Sequence, residues 1–421
     1  MAENAVLRAR MADLGLTQDE LAGQLNAALH SITGRPGNMS ARSVRNLLNG
    51  QTTRPIGRTR VALERVFGCP LADLGFASPA PPAPPAPPSS PEDPVLRRTF
   101  CSLTAGAAAA AVVPSGRRSV STADVIRLRD GMAALTALDQ TRGGHGSLER
   151  AALAGAAEAI ALQQRAASQT VRQRLFSLAS HYTASAAWSC IDARQGDRAQ
   201  AHLDQALRLA GMAQDPMAQL RVWNCTAMLA HQRGQFSEGI AASQAAQATT
   251  TARRDPLFAS LAHARTAIGY ASRGDRQPAL RSLGHAQDAL ARAEERPRPP
   301  WIGFYGSAEL AALTAIVHDL RGEPAHAEAA SHRALAALPV ALRRNRAMTT
   351  VRLAHAQLRQ GDVEQACATS SGAFALMAGD PIPGRMRTQI GDFHRDLFTL
   401  APTDRAAREW ADRYRTEWST P

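Results

Sequence analysis

The stretch AMLAHQRGQFSEGIAASQAA, residues 227–246, sets Gly234 between two runs of small and apolar residues. Ala227 lies seven residues before that glycine, Gly239 five after it and Ala246 twelve after it. Two antiparallel helices joined by a short turn approach closely only where small side chains occupy the crossing points. Working outward, Gly196, Gly274, Gly322 and Gly361 repeat the pattern. Seven residues before them stand Ser189, Ala267, Ala315 and Ala354, and five after them Ala201, Ala279, Ala327 and Ala366. Twelve after, Ala286, Ala334 and Ala373 hold the register, and Arg208 is the exception. Any one offset is weak in an Ala-rich chain. Three offsets held over five units, spaced 38, 40, 48 and 39 residues apart, predict stacked helix pairs over 180–380.

Small residues at these offsets around a turn glycine resemble the tetratricopeptide repeat. The resemblance implies a curved α-solenoid whose first helices line a concave groove. In this register Arg221, Asn224, Met228, His231, Ile268, Ile316, Asp319 and His355 fall on the groove side, where a peptide, small molecule or partner segment would bind. Residues 120–175 are expected to add one or two helix pairs, and 384–418 to close the far end.

The other patterned block is 1–76. Leu7, Met11 and Leu14 share one face of a predicted helix over 5–14. Thr17-Gln18-Asp19-Glu20 reads as a capping box opening a second helix, with Leu21, Leu25 and Leu29 as its buried stripe. Ser40 is placed to cap a third, Ala41–Leu48, ended by Asn49-Gly50. Val44, Leu47 and Leu48 then face inward, leaving Arg42, Ser43, Arg45 and Asn46 outside. Between Leu21 and Leu63 stand six arginines (35, 42, 45, 54, 58, 60) and no acid. LTQDELA, SARSVRNLLNGQTTRP and ALERVFGCPLADL together resemble the Cro/CI repressor-type helix-turn-helix (XRE) family, with a longer connection, His30–Met39, where that family turns tightly. The resemblance implies a five-helix DNA-binding domain whose third helix enters the major groove. Arg42 and Asn46 would then reach base edges, with Ser43 or Arg45 at the margin. Gln18, Asn49 and Arg54 would hold the phosphate backbone.

Between the blocks, residues 77–94 read ASPAPPAPPAPPSSPEDP, a run expected to form a semi-rigid polyproline II spacer. Residues 97–114, RRTFCSLTAGAAAAAVVP, resemble a twin-arginine export signal, but a folded block precedes them. The apolar run is also too short to span a bilayer of roughly 30 Å. A small helix at the start of the next domain is the expectation, and a cytoplasmic protein with it. The domains are expected at 1–76, 77–119 (spacer and Ala-rich segment) and 120–421, in an all-α chain. A repressor-like head, a proline-rich linker and degenerate repeats in that order are similar to a class of actinobacterial regulators.

Composition removes several chemistries. All 48 basic residues are Arg, so there is no P-loop, Schiff-base or Ser-Lys lysine. The net charge of +12 reflects this Arg usage and is weak evidence for a polyanionic partner. Gly143-Gly144-His145-Gly146 lacks the spacing of a dinucleotide loop. Cysteines 69, 101, 190, 225 and 367 are isolated, as expected of reduced, packed residues. The 12 histidines show no metal-ligand spacing. We expect no enzyme, no cofactor and no metal.

Three readings follow. The first is a transcription regulator that binds double-stranded DNA and no membrane, as a homodimer whose repeats sense a peptide, small molecule or protein. The second is a repeat scaffold whose head makes protein contacts only. The third, an exported protein, requires Arg97-Arg98 and the run behind them to act as a signal. The acid-free arginine surface favours the first over the second, and the block upstream of Arg97 opposes the third.

Overall fold

In a computed structural model every regular element among the described residues is a helix. The structure describes residues 4–13, 16–33, 37–52, 55, 57–67, 69–76, 120, 122–142, 146–165, 167–379 and 382–418. The proline-rich run and the Ala-rich segment behind it lie outside these residues. The chain divides into two units, 1–130 with 165–171, and 131–164 with 172–421.

The first unit holds α1 (Ala5–Asp13), α2 (Gln18–Thr33), α3 (Ala41–Leu48), α4 (Gly57–Phe67) and a 3-10 turn, Leu71–Leu74. Leu7, Leu21, Leu25, Val44, Leu48, Leu63 and Leu74 form its core. The capping box that opens α2 is present: Glu20 accepts from the Thr17 amide at 2.8 Å, and Thr17 Oγ1 accepts from the Glu20 amide at 3.3 Å. The expected connection from His30 is shorter than the sequence suggests, because α2 runs on to Thr33. Its far end is tied down by Asn26, whose amide donates to the Met39 carbonyl at 2.9 Å and accepts from the Met39 N–H at 2.8 Å. Two bonds from one side chain therefore fix where α3 begins. Buried Asn4 does the same for α1. It accepts from the Leu7 amide, donates to the Leu74 carbonyl and bonds through its own N–H to Leu48.

The second unit is a run of helix pairs. After the part of α5 (Thr122–Arg142) from residue 131 on and α6 (Gly146–Gln163) come α7 (Gln169–Asp192), in this unit from residue 172, with α8 (Gly196–Ala213), and α9 (Pro216–Gln232) with α10 (Phe236–Ala248). A short α11 (Thr250–Arg254) leads to α12 (Pro256–Arg273) with α13 (Arg276–Ala291). Then follow α14 (Ser307–Leu320) with α15 (Pro324–Ala337), α16 (Arg343–Gln360) with α17 (Val363–Leu376), and α18 (Gly384–Leu400) with α19 (Arg405–Arg413). From α9 onward, the first helix of each pair packs on the first helix of the next.

The turns correct the sequence register in one pair. Gly234, Gly274, Gly322 and Gly361 take the left-handed conformation, with φ of 72°, 87°, 71° and 93°. In the α7/α8 pair the left-handed residue is Arg194, at φ 62°, and not Gly196, which is already the first residue of α8. Counted from Arg194, the small positions become Ala187, Ala199 and Ala206, all fully buried, and the Arg208 exception disappears. The partners in the other pairs, from Ala227 to Ala373, are buried as well. A second close approach was not legible. Tyr182 lies so near α5 and α6 that a Cβ at Gly131 would meet its hydroxyl at 2.7 Å, and one at Gly155 its ring at 2.4 Å.

Left-handed backbone costs an L-residue about 1–2 kcal/mol. Gly274→Ala should therefore lower the unfolding free energy by about 1 kcal/mol, whereas Arg194→Gly should raise it by up to about 1 kcal/mol. Chemical denaturation of the two variants against the parent checks both signs.

Candidate functional site

Within the second unit the first helices of the pairs enclose a cavity of about 610 Å³. Arg221, Asn224, Met228, His231, Ile268, Ile316, Asp319 and His355 all line it. The helix-pair register places them there: positions six residues before the turn residue on α9, α12, α14 and α16 carry Met228, Ile268, Ile316 and His355. Trp188, Trp301 and Phe304 add apolar wall.

The enclosure depends on contacts that no local pattern signals. Asp192, at the end of α7, has no solvent exposure. It accepts from Arg344 at 2.6 Å, in the first turn of α16, and from Arg385 at 2.8 Å, in the first turn of α18. These partners are 152 and 193 residues away in sequence. The helix run thus closes back on its own early part. Arg385 also stacks on Trp188 at 5.2 Å, and a Cβ on Gly384 would meet the Ala193 backbone at 2.9 Å. Asp139 of α5 faces Arg344 at 3.7 Å, and burial pushes its pKa up against the pull of that guanidinium.

The remaining polar wall falls into two sets. Arg359 pairs with Asp319 and Asp396, and Arg395 with Asp392. His355 bonds the Gln389 carbonyl at 3.0 Å and faces Asp396 at 3.6 Å. In contrast, Arg265 bonds only Asn224 Oδ1 among the described residues, through Nε at 3.0 Å, and Arg221 bonds the His181 carbonyl and Ser185. Burial lowers the pKa of both guanidiniums. Burial also pulls His231 down to about 4, helped by the charges of Arg265, Arg352 and Arg194. His181 is pulled to about 4 by burial and Arg221, with Asp215 opposing. Both imidazoles are neutral at pH 7.

On the first unit, α3 turns Arg42 and Arg45 fully outward, and neither makes an ion pair among the described residues. Asn46 and Gln18 are half-buried and Asn49 is exposed at the helix end. Ser43 is already engaged: its hydroxyl accepts from the Ser40 amide at 3.3 Å, closing the α3 capping box. Arg54 lies outside the described residues.

Two groups of potential metal donors assemble that sequence spacing does not show, Glu149–Cys190–His202 and His318–Glu323–His326. Glu149 is already satisfied by Arg198, at 2.8 and 2.9 Å, and by His202 at 2.9 Å. No helix among the described residues is long and apolar enough to cross a membrane.

No protein-family model matches the chain, and no curated protein matches it. A solved structure described as "Crystal structure of APC/C hetero-tetramer Cut9-Hcn1" is similar at 14% identity with a TM-score of 0.35. The match covers 76% of this chain and 58% of that one, so the chain spans less than two thirds of that protein's length.

Removing Asp192 leaves Arg385 without its acid and Arg344 with only the more distant Asp139, so Asp192→Ala should cost about 3–5 kcal/mol in chemical denaturation. The neutral histidines set a pH dependence. Unfolded histidine titrates near 6.5, so between pH 6.5 and about 4 the unfolded chain binds more protons than the folded one. Stability should be full above pH 6.5 and fall as pH drops toward 4. Denaturation midpoints across that range check this, and His231→Gln should flatten the slope.

Proposed function

We propose that the chain is a sequence-specific DNA-binding transcription regulator whose helix-pair unit holds a ligand. The observation that carries the DNA half is the outward face of α3. Arg42 and Arg45 project beside Asn46 with no ion pair among the described residues, above an inward face of Val44, Leu47 and Leu48, in a segment with six arginines and no acid. A guanidinium bonds both acceptors of guanine at once, and an Asn amide pairs with adenine. With Ser43 held in its capping box, base reading falls to Arg42 and Asn46, with Arg45 at the margin, while Gln18, Asn49 and Arg54 hold phosphates.

A repressor-type head needs two half-sites about 34–36 Å apart, which supports a homodimer assembled through the helix-pair unit. A ligand in the cavity then acts only by its difference in affinity between two arrangements of that unit. A cytoplasmic location fits this role. The second reading, a protein-interaction scaffold that does not bind DNA, is favoured by how much of the chain is helix pairs. Mobility-shift titration separates the two. The regulator reading expects salt-sensitive binding to genomic fragments, with Arg42→Ala costing about 1–3 kcal/mol and relaxing one base preference. Arg54→Ala should weaken all sequences alike and reduce the salt slope. Absence of salt-sensitive binding to any fragment leaves the scaffold.

A further inference from the structure

Charged walls of buried cavities normally balance, because an ion removed from water without a partner costs several kcal/mol. Here the balance fails at one place. Arg344, Arg385, Arg359 and Arg395 each meet a carboxylate. Arg221 and Arg265, 7% and 6% exposed, and Arg352 beside them line the same cavity with no acid within 4 Å among the described residues. Arg352 makes no hydrogen bond there either, and Arg265 spends only Nε on Asn224. The carboxylate that acts on both through space, Glu309, is not in ion-pair contact with them and takes the Asn345 amide at 3.4 Å. Arg385 and Arg265 both act on Arg352 as like charges, and its guanidinium is held down to about 10, chiefly by burial. Beside them the wall is apolar, with Ile268, Ile316, Trp301 and Phe304.

We propose that this cavity takes an organic anion, a carboxylate or phosphate group on an apolar body, whose charge is received by Arg265 and Arg352 with Arg221 at their flank. Guanidinium forks suit both headgroups, since each offers two parallel N–H donors to a pair of oxygens. Asn224 holds the Arg265 fork by its Nε and leaves the outer donors free for the ligand. The cavity volume, about 610 Å³, is that of a small-molecule site. This rests on the reading of the helix-pair unit as the ligand-holding part and is independent of DNA binding by the head.

The test uses the full chain with octanoate, octyl phosphate and uncharged octanamide, followed by calorimetric titration and thermal melting. One of the two anions should bind saturably and raise the melting temperature, and which one does so identifies the headgroup. Octanamide should bind at least about tenfold more weakly, and Arg265→Gln and Arg352→Gln should each weaken the anion at least about tenfold. Without ligand, Arg352→Gln should melt at the parent temperature or above it, because it removes an uncompensated charge. A fall of several degrees in that variant would make Arg352 structural and overturn the proposal. So would the lack of any response to both anions. Octanamide binding as tightly as the anions would sink the anion site while leaving a ligand-holding cavity intact. Mobility shifts with DNA are scored separately, so a failure of the head is not mistaken for a failure of the cavity.

Discussion

The Asp192 carboxylate lies where solvent does not reach, and the path of the helix-pair unit depends on how it is met. A carboxylate at a helix C-terminus and guanidiniums in the first turns of α16 and α18 all sit at the unfavourable ends of their helix dipoles. Each is poorly placed within its own helix, and together they compensate one another. Breaking such a pair by removing one partner costs about 3–5 kcal/mol, a large share of the roughly 5–15 kcal/mol that holds a typical protein folded. The early and late helices are therefore held together by chemistry, and α7, α9, α12, α14, α16 and α18 all contribute to the wall of the cavity between them.

That closure also explains the division of labour among the cavity arginines. Those that meet Asp192, Asp319 and Asp396 belong to the frame, because their charge is spent on helix-to-helix contacts, while Arg395 meets Asp392 within α18 itself. Arg265 gives the frame only its Nε, to Asn224, and Arg352 meets no acid within 4 Å among the described residues, while the neutral His231 adds no further charge. Its Nδ1 is 3.1 Å from the Ser272 hydroxyl, which fixes the ring in the cavity wall. A wall of this kind distinguishes an anionic occupant from a neutral one by whether burial of the guanidiniums is offset or not.

Much of this was legible in the sequence, for a physical reason. Helix pairs are local objects, so a turn residue and three small residues within about twenty positions announce them. The head is local as well: the Thr17–Glu20 box, the Ser40 cap and the faces of α3 follow from spacing alone. What escaped was of two kinds. Arg194 hid its turn because an arginine gives no sign that it will take a left-handed conformation, and Gly196, two residues on, drew the register to itself. The second kind is long-range. Asn26 to Met39, Tyr182 against two glycines, and above all Asp192 with Arg344 and Arg385 join residues whose only relation is the fold itself. The eight groove positions came together because the first-helix face is periodic, while the pairing of their charges depended on neighbours from other helices that no period reveals.

An open stack of helix pairs can gain or lose a member by duplication or deletion, since each pair touches only its neighbours and the ends are free. A stack that returns to its own beginning has no such freedom. The rotation contributed by each pair must sum to bring α16 and α18 back to Asp192, so excising one pair would leave Arg344 and Arg385 short of it, and inserting one would carry them past. Copy number in this chain is thereby fixed by geometry, and sequence change is channelled into side chains on the cavity wall, where substitution alters what is held without altering how many pairs hold it.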